Sequence, residues 1–510
     1  MPNDSGFSLP PRLWVDWCVV FVTSLVLYVL TCAPDVLMSD SGVYQLRVAA
    51  FPPTPARHMS NELVHIHALY LGLAKVFTLL PVGNIAYRVN LASGWFGAMA
   101  VASVFVSARL LTGSRWAAMI GALSVGLGHT FWAYSVIAEC LTLAAAFLTT
   151  ELLFLLLFAR TDKTRWFLVA ALANGLSISN HMIGTLATPV YAILTIVWLR
   201  RGRLSGSDVL AAIGLWLLGT SIYLFLILRT LMESGDLLGV IRSATTGSWP
   251  ATNVSISASL LAKVGGYLIL QYPTLLLLLA IVALWAKPIS EGDRPVKRAI
   301  IGVAAIHLVF AMRFPVKDQY VFFVAPYACL GLLVGLGAWA VIRRWRWTRW
   351  AGLVLAVAPV GVYMVLPGVA RWSGLNPFTR SLPYRDPYEF FLKPWQHGYY
   401  GVRRFSEEAF EILPENAVLL ADTTVAAALL YVQRIEGKRP DLTFIWRWRG
   451  LPPEQLLHET FPPRWRKPVY LVATEPPYAP RVLLRDCQIV PEGILYRVEP
   501  PKRFPKTPWL

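Results

Sequence analysis

The feature that most constrains this chain is a series of long apolar runs. Of its 510 residues, 56% are hydrophobic and only 15% are charged, and about 20 consecutive apolar residues can cross a bilayer as a helix. The first run, residues 14–32, is longer than the core of a signal peptide and lacks a small-residue cleavage site, which predicts an uncleaved anchor helix. The sequence therefore predicts a polytopic α-helical membrane protein.

Basic residues between these runs predict the topology, because Lys and Arg concentrate in cytoplasmic loops. The basic clusters at 109–115, 160–165, 200–203, 287–298 and 343–349 all face the cytoplasm only if one run, 63–80, does not cross. That run is the weakest, since it carries His65, His67 and Lys75, and we expect it to lie against the outer interface. We therefore predict 11 spans with the N-terminus inside. The twelve candidate runs are 14–32, 63–80, 86–110, 116–131, 136–159, 166–179, 183–199, 209–228, 261–285, 299–312, 320–342 and 350–366.

The excess of 46 Lys and Arg over 29 acidic residues does not indicate nucleic acid. These basic residues lie in short clusters between apolar runs rather than on one amphipathic face. The five cysteines show no disulfide framework and no metal-ligand spacing.

Several polar residues fall together on the predicted outer side. The first outer loop, 33–86, carries Asp35 and Asp40, and Asp35 follows Pro34 as a turn or cap residue would. Ionisable residues at membrane depth usually mark a functional site, and the short hairpin whose tip is Asn180 and His181 should be recessed below the surface. A polar cavity opening outward is therefore expected. Its other candidate residues are Glu139, Arg313, Lys317 and Asp318.

Each candidate also has a plain structural interpretation. Glu139 could form a buried ion pair, and His181 could be a hydrogen-bonded residue at a helix end. His65 and His67 could be surface groups at the interface or could contact the substrate. A divalent metal is left open, although a His-x-His pair on a helix points its two imidazoles apart and no third ligand follows at a fixed spacing. Arg313 and Lys317 could belong to a solvated turn, although a lipid phosphate would explain basic residues on the outer side.

The C-terminal part differs in character. We divide the chain into a membrane domain at 1–368, a linker at 369–398 and an α/β domain at 399–510 outside the cytoplasm. Helix-like and strand-like segments alternate there, which favours a partly parallel sheet. Asp422 ends a predicted strand at the edge where such sheets bind ligands, or it caps a helix or turn. We expect this domain to bind the acceptor. The helix-like segments are 405–413, 425–436 and 454–460, and the strand-like segments are 417–422, 441–446 and 468–474.

Five segments in order resemble a known family: TCAPDVLMSDSGVYQLRVAA, IAYRVNLASGWFGAM, FWAYSVIAECLTLAA, FLVAALANGLSISNHMIG and DQYVFFVAPYACLGLLVGLG. The chain resembles the integral membrane family called domain of unknown function 2723. That family is similar to protein O-mannosyltransferases and belongs to the GT-C superfamily of glycosyltransferases, which use polyprenyl-phosphate sugars. The likeness runs from about Tyr28 to Gly337 and resumes in GKRPDLTFI.

The resemblance implies particular site residues. Asp40 matches the Asp of an Asp-Ser-Gly-Glu stretch, Glu139 and His181 match a family Glu and His, and Asp318 with Tyr320 matches an acidic and aromatic pair. Two features depart from the family. Val43 stands where Glu is expected, and the His-Pro-Pro-Gly element is absent.

The implied activity is sugar transfer, with inversion, from a polyprenyl-phosphate donor to a hydroxyl of a protein, lipid or glycan outside the cytoplasm. We expect Asp40 to be the base, helped by His181 or Glu139, and Arg313 and Lys317 to neutralise the departing phosphate. The expected location is a bacterial inner membrane, among membrane lipids. A transporter would show midplane polar groups and repeated halves, and a non-catalytic scaffold or lipid-binding protein is the other alternative.

Overall fold

The computed structural model describes residues 12–50, 63–245, 247, 257–314, 316, 318–375, 380–446, 456, 460, 467–476 and 478–500. The membrane part is helical throughout these ranges. Its helices are α1 Leu13–Thr31, α2 Ser39–Ala49, α3 Ala68–Phe77, α4 Ile85–Thr112, α5 Arg115–Gly126, α6 His129–Ser135, α7 Leu141–Thr161, α8 Thr164–Asn180, α9 Thr188–Arg200, α10 Gly206–Ser234, α11 Leu237–Thr245, α12 Ala258–Gln271, α13 Leu276–Val282, α14 Arg294–Arg313, α15 Val324–Arg344 and α16 Thr348–Trp372. Short 3-10 turns are Leu63–His65, Met182–Ala187, Glu291–Asp293 and Gln319–Phe323.

Eight helices of the described chain are long and apolar enough to cross a membrane. The bent pair α12 and α13, which turns by 106°, would be a ninth. Two further predicted spans form shorter helices: α8 has 17 residues, and the run 116–131 is divided between α5 and α6. The protein is thus a polytopic helical membrane protein, and the count of 11 spans stays a prediction.

The run 63–80 forms one 3-10 turn followed by α3, which has 10 residues. At about 1.5 Å per residue such a helix rises about 15 Å, half the hydrocarbon thickness of a bilayer. The segment therefore does not reach across a membrane as a single helix.

Small residues allow the membrane helices to pack closely, as is typical without a hydrophobic driving force between helices. On α8, a Cβ added to Gly175 would lie 2.2 Å from the carbonyl oxygen of Trp216. On α10, a Cβ added to Gly219 would lie 2.6 Å from the carbonyl oxygen of Leu172. The two backbones thus cross in contact, and no larger residue fits at either point.

The C-terminal part builds a five-stranded mixed sheet with the order β2-β1-β3-β5-β4. β1 pairs in parallel with β2 and β3, while β5 is antiparallel to β3 and β4. The hairpin of β4 and β5 and the helix α20 were not predicted from the sequence, and most of the predicted helix 454–460 lies outside the described residues. The elements are α17 Pro387–Leu392, α18 Gly401–Ile412, β1 Val418–Leu420, α19 Thr423–Arg434, β2 Thr443–Ile445, β3 Val469–Leu471, α20 Arg481–Asp486, β4 Gln488–Glu492 and β5 Leu495–Glu499.

The short helix α2 lies between the membrane helices and this sheet domain. One side of α2 packs on α19, so that a Cβ added to Gly42 would lie 3.6 Å from the Cβ of Ala427. Val36 and Leu46 belong to the same apolar cluster as Phe405 of α18. The C-terminal domain therefore holds the helix that carries Asp40.

Candidate active site

The other side of α2 presents three polar residues at helical spacing. Asp40, Tyr44 and Arg47 stand at positions i, i+4 and i+7, which share one helix face. The Tyr44 hydroxyl lies 3.3 Å from the Cys140 Sγ, and the Arg47 Nη1 donates to the carbonyl oxygen of His65 at 2.9 Å. The charge of Arg47 also acts on Asp40. This face of α2 is one wall of the candidate site.

In the first turn of α2, the backbone packs closely against the preceding segment of the chain. Ser39 adopts φ 59°, a left-handed conformation that a residue with a side chain adopts at a cost of about 1 kcal/mol or more. A Cβ added to Gly42 would lie 2.3 Å from the carbonyl oxygen of Leu37, so only glycine fits. The pair Ser41 and Gly42 thus lies in the closely packed first turn of α2.

Three carboxyl groups from separate segments interact in this site. Asp40 and Asp318 are exposed, yet both are enclosed by protein, so they face a cleft rather than open water. This enclosure, and next the charge of Asp318, raises the pKa of Asp40 to about 6. Burial, and next the charge of Asp40, raises the pKa of Glu139 to about 8. At neutral pH the cleft therefore contains an ionised Asp40 beside a protonated Glu139.

Glu139 is fixed by backbone and side-chain hydrogen bonds where α6 meets α7. Its Oε1 accepts from the backbone N–H of Cys140 at 2.8 Å. Its own N–H donates to the hydroxyl of Ser93 on α4 at 2.8 Å, and that hydroxyl donates back to the Glu139 carbonyl at 3.1 Å. The structure contains no ion pair at Glu139 among the described residues, which removes the alternative of a structural salt bridge there.

Aromatic rings form the side of the cleft opposite α2. Tyr320, in the turn after Asp318, lies with its ring centroid 5.9 Å from Tyr134 and 5.8 Å from Tyr267. The Lys263 Nζ lies 5.6 Å from the Tyr267 ring centroid, and its charge opposes the effect of burial, which raises the pKa of Asp318. Aromatic walls with a few charges suit a polar ligand that carries an apolar chain.

A cluster of two histidines, His67 and His181, lies next to the three carboxyl groups, with Cys140 between them. The rings of His67 and His181 stack with centroids 4.8 Å apart. The His67 Nδ1 lies 3.1 Å from the Asn180 carbonyl oxygen, and the Asn180 Nδ2 donates to the Cys140 carbonyl oxygen at 3.0 Å. Burial lowers the pKa of His181 to about 4, with a smaller contribution from His65. These histidines are therefore neutral at physiological pH.

A metal was left open by the sequence, and the candidate ligands can be tested on geometry. One ligand atom each of His67, Cys140 and His181 lies within 4.8 Å of the others. However, the His181 Nδ1 accepts a hydrogen bond from the backbone N–H of Ile183 at 3.0 Å, which places the ring proton on Nε2. The cluster in this arrangement does not fit a metal, and His181 caps the helix end as a structural residue would.

Asp422, another residue predicted for the site, lies at the start of α19 in the C-terminal domain. Asp422 caps α19 by accepting from the N–H of Thr424 at 2.9 Å, and it pairs with Arg380 at 3.0 and 2.8 Å. Its carboxylate oxygens are thus already engaged, which favours the cap over a ligand site. Arg313 ends α14, and Lys317 lies outside the described residues.

Sequence analysis missed four residues around this cleft. Tyr44 and Arg47 had a readable signal, because they repeat the helical spacing that begins at Asp40. Cys140 directly follows Glu139 and was assigned only to an apolar run. Arg385 lies in the linker before α17 and interacts electrostatically with Tyr320; nothing in its local sequence marks it.

Comparison with known sequences points to one kind of enzyme. Residues 67–203 match the family model described as the Protein O-mannosyl-transferase TMEM260 N-terminal domain. The Protein O-mannosyl-transferase TMEM260 of Mus musculus is 27% identical over 190 residues, which cover 35% of this chain. The match spans only 25% of the length of that relative. The residues that match the family model, 67–203, include Glu139, Asn180 and His181.

Solved structures share the whole architecture. ArnT from Cupriavidus metallidurans in the apo state has a TM-score of 0.61 at 15% identity, covering 95% of this chain and 98% of that one. The same protein bound to undecaprenyl phosphate gives 0.60 at 15% identity, covering 96% and 98%. This likeness shows the fold, from the first membrane helix into the C-terminal domain.

Proposed function

We propose that this chain is a membrane glycosyltransferase that moves a sugar from a polyprenyl-phosphate donor to an acceptor hydroxyl outside the cytoplasm. The observation that carries the proposal is the cleft in which the carboxyl groups of Asp40, Glu139 and Asp318 interact, with Asp40 ionised and Glu139 protonated at neutral pH. The similarity to ArnT, which has been solved with undecaprenyl phosphate, supports a lipid phosphate as the donor class. The similarity to an O-mannosyl-transferase supports a hydroxyl acceptor.

The chemistry follows from the state of each carboxyl group. Asp40 accepts the proton of the acceptor hydroxyl as its oxygen attacks the anomeric carbon. The bond between that carbon and the phosphate oxygen breaks, and polyprenyl phosphate leaves with the electron pair on the opposite face, so the configuration inverts. Protonated Glu139 donates a hydrogen bond within the site. Arg313 and Lys317 stay proposed contacts of the phosphate on the basis of the sequence.

We assign acceptor binding to the C-terminal domain, because its helix α19 packs directly on α2. The acceptor hydroxyl must reach Asp40, and α2 is the element that both domains share. A protein, a lipid or a glycan can supply such a hydroxyl.

The first prediction tests Asp40 as the base. Asp40→Asn keeps the shape of the side chain but removes the basic oxygen, so transfer should fall about 10² to 10⁴-fold while donor binding survives. The measurement is sugar transfer in membranes with polyprenyl-phosphate sugars. Asp236→Asn is the matched control, since Asp236 is exposed and its side chain only accepts from the N–H of Gly239 at 2.9 Å.

Asp35→Asn separates catalysis from folding. Asp35 pairs with Arg403 at 2.7 Å, so the Asp35→Asn variant should lose thermal stability. The molecules of this variant that do fold should transfer sugar at the wild-type rate. Near-wild-type transfer by Asp40→Asn, or an equal loss per folded molecule in both variants, would remove Asp40 as the base.

A further inference from the structure

The linker between the membrane helices and the sheet contains a cation that the proposed mechanism does not use. The Arg385 guanidinium lies over the rings of Phe390 and Phe391, 5.6 and 5.1 Å from their centroids. Its Nη2 donates to the carbonyl oxygen of Arg380 at 3.3 Å. Its Nε is buried and has no hydrogen-bond acceptor among the described residues.

The charge of Arg385 also lacks a counter-charge. Within the described ranges, the structure shows no carboxylate at ion-pair distance from it, and the nearby charge of Arg380 is of the same sign. Arg380, by contrast, is neutralised by Asp422 and stacks 3.9 Å from the Tyr478 ring centroid. Arginine keeps its charge in proteins, and a half-buried charge without a counter-charge loses part of its hydration uncompensated. An anion bound at Arg385 would remove this penalty.

The position of Arg385 places that anion at the cleft. Its charge interacts with Tyr320 and Tyr399, and Tyr320 lies two residues after Asp318 and in ring contact with Tyr134. The carboxylates of the cleft, Asp40 and Asp318, would repel an anion placed beside them, and its two other cations act on these carboxylates: Arg47 on Asp40 and Lys263 on Asp318. Within the described residues, Arg385 is therefore the cation of the cleft on which no carboxylate acts.

We propose that Arg385 binds the phosphate of the polyprenyl-phosphate donor and stabilises it as the sugar leaves. This inference rests on the proposed function and names a residue that the sequence analysis did not assign. The planar guanidinium matches two phosphate oxygens in a bidentate contact. In the donor the phosphate is a diester with one negative charge. When the bond to the anomeric carbon breaks, the leaving monoester gains a second charge, so Arg385 stabilises the departing group more than the donor.

The test measures binding to the full chain in nanodiscs. The probes are a polyprenyl phosphate, the polyprenol of the same length and inorganic phosphate, followed by native mass spectrometry. Wild type should prefer the lipid phosphate over the polyprenol. Arg385→Gln should reduce that preference about 10-fold to 100-fold, which is the range for losing a charged hydrogen-bond pair. Arg385→Lys should retain part of it.

Arg485→Gln is the matched control, because Arg485 is exposed and pairs only with its neighbour Asp486; its preference should equal that of wild type. Because both lipids are measured on the same sample, the ratio of bound polyprenyl phosphate to bound polyprenol does not depend on the fraction of a variant that is folded. If Arg385→Gln keeps the full preference, the inference fails and the proposed function stands. If wild type binds neither lipid, or prefers the polyprenol, the proposed function fails as well. Inorganic phosphate alone binding as tightly as the lipid would show an anion site unrelated to the donor and overturn the assignment.

Discussion

Asp40 and Glu139 are two carboxyl groups in one cleft whose surroundings separate their pKa values. Enclosure and Asp318 bring the pKa of Asp40 to about 6, and burial with the charge of Asp40 brings that of Glu139 to about 8. This separation of the two pKa values is what one expects when one carboxyl group, Asp40, acts as the base and the other, Glu139, stays protonated.

The second prediction concerns pH. Asp40 must be ionised to accept a proton, so the rate should fall about tenfold per pH unit below its pKa of about 6. Glu139 loses its proton above about 8, where a second anion beside Asp40 should lower the rate again. The measurement is kcat/KM for transfer from pH 5 to pH 9, with a bell-shaped profile expected.

Glu139→Gln keeps a neutral hydrogen-bond donor at every pH. It should therefore abolish the alkaline decline and leave the acid decline in place, because Asp318 is the carboxylate whose charge raises the pKa of Asp40. An alkaline decline that persists in this variant would contradict the role given to Glu139.

At the level of residues, the sequence identified the acidic groups better than the basic ones. Asp40, Glu139 and Asp318 stand out because carboxyl groups beside apolar runs are rare, and the structure brings their charges into interaction. Arg385 could not be found this way. Its significance lies in the absence of a partner, which only the folded chain reveals.

The helix α2 has two functional faces, one toward the cleft and one toward the C-terminal domain. Asp40 and Tyr44 face the cleft, while Gly42 and Leu46 face the C-terminal domain. A shift of α2 by a fraction of a helical diameter would move the base away from the acceptor, and misplacement of about 1 Å can lower a rate about 100-fold. Under the proposed function, the packing behind α2 therefore fixes the position of the base.

The third prediction tests that packing. Gly42→Ala places a Cβ 2.3 Å from the carbonyl oxygen of Leu37, so α2 must move, at a cost of about 1 to 3 kcal/mol. The rate of sugar transfer per folded molecule should therefore also fall, beyond the loss caused by a smaller folded fraction. Gly361→Ala is the control, since a Cβ at that helical position meets nothing within 4 Å. Equal activity in the two variants would show that the position of α2 is not critical.

The fourth prediction concerns the topology of α3. The segment Leu63–Phe77 should not cross the membrane, because only then do the basic clusters all face the cytoplasm. Val82→Cys offers an exposed site just beyond it, and Arg201→Cys offers one in a cytoplasmic cluster. An impermeant maleimide should label Val82→Cys only from outside and Arg201→Cys only from inside. Labelling of Val82→Cys from the cytoplasm would reject both the 11 spans and the shared outer site.

Helices could be predicted from the sequence where a long apolar run matched a single helix. The 28 residues of α4 and the 21 of α15 were evident as apolar runs. The hairpin of β4 and β5 was missed although Gly493, at φ 59°, starts its two-residue turn, because Pro491 argues against a strand. The break between α5 and α6 was hidden for another reason: both pieces are apolar, so hydropathy alone reads them as one run.

Over the whole molecule, the fold joins a membrane domain and a sheet domain through one ion-pair cluster. Arg403 on α18 donates to Asp35 at 2.7 and 2.9 Å and to Glu436 at 2.6 Å. Asp35 also accepts from Asn84, the cap of α4, at 3.0 Å. The sequence predicted both domains as separate units, and it read Asp35 only as a turn or cap residue. Long-range pairs such as Asp35 with Arg403 leave no local pattern, so their role could not be read from the chain.

The last prediction tests this connection. Arg403→Gln removes the arginine that pairs with Asp35 and Glu436, which are 9% and 23% exposed, and leaves Glu436 only Lys438, at 3.9 Å. Breaking such a partly buried pair should lower the free energy of unfolding by about 2 to 4 kcal/mol. Hydrogen exchange should increase in α2 and α19 together, because each packs on the other, and transfer should fall as Asp40 loses its fixed position. Arg404→Gln, one residue along on the exposed side of α18, should change none of these. Combining Arg403→Gln with Asp35→Asn should restore part of the stability, since the double variant buries one unpaired charge fewer. Strictly additive losses, or faster exchange confined to α18, would show that this cluster stabilises the C-terminal domain without positioning the catalytic helix.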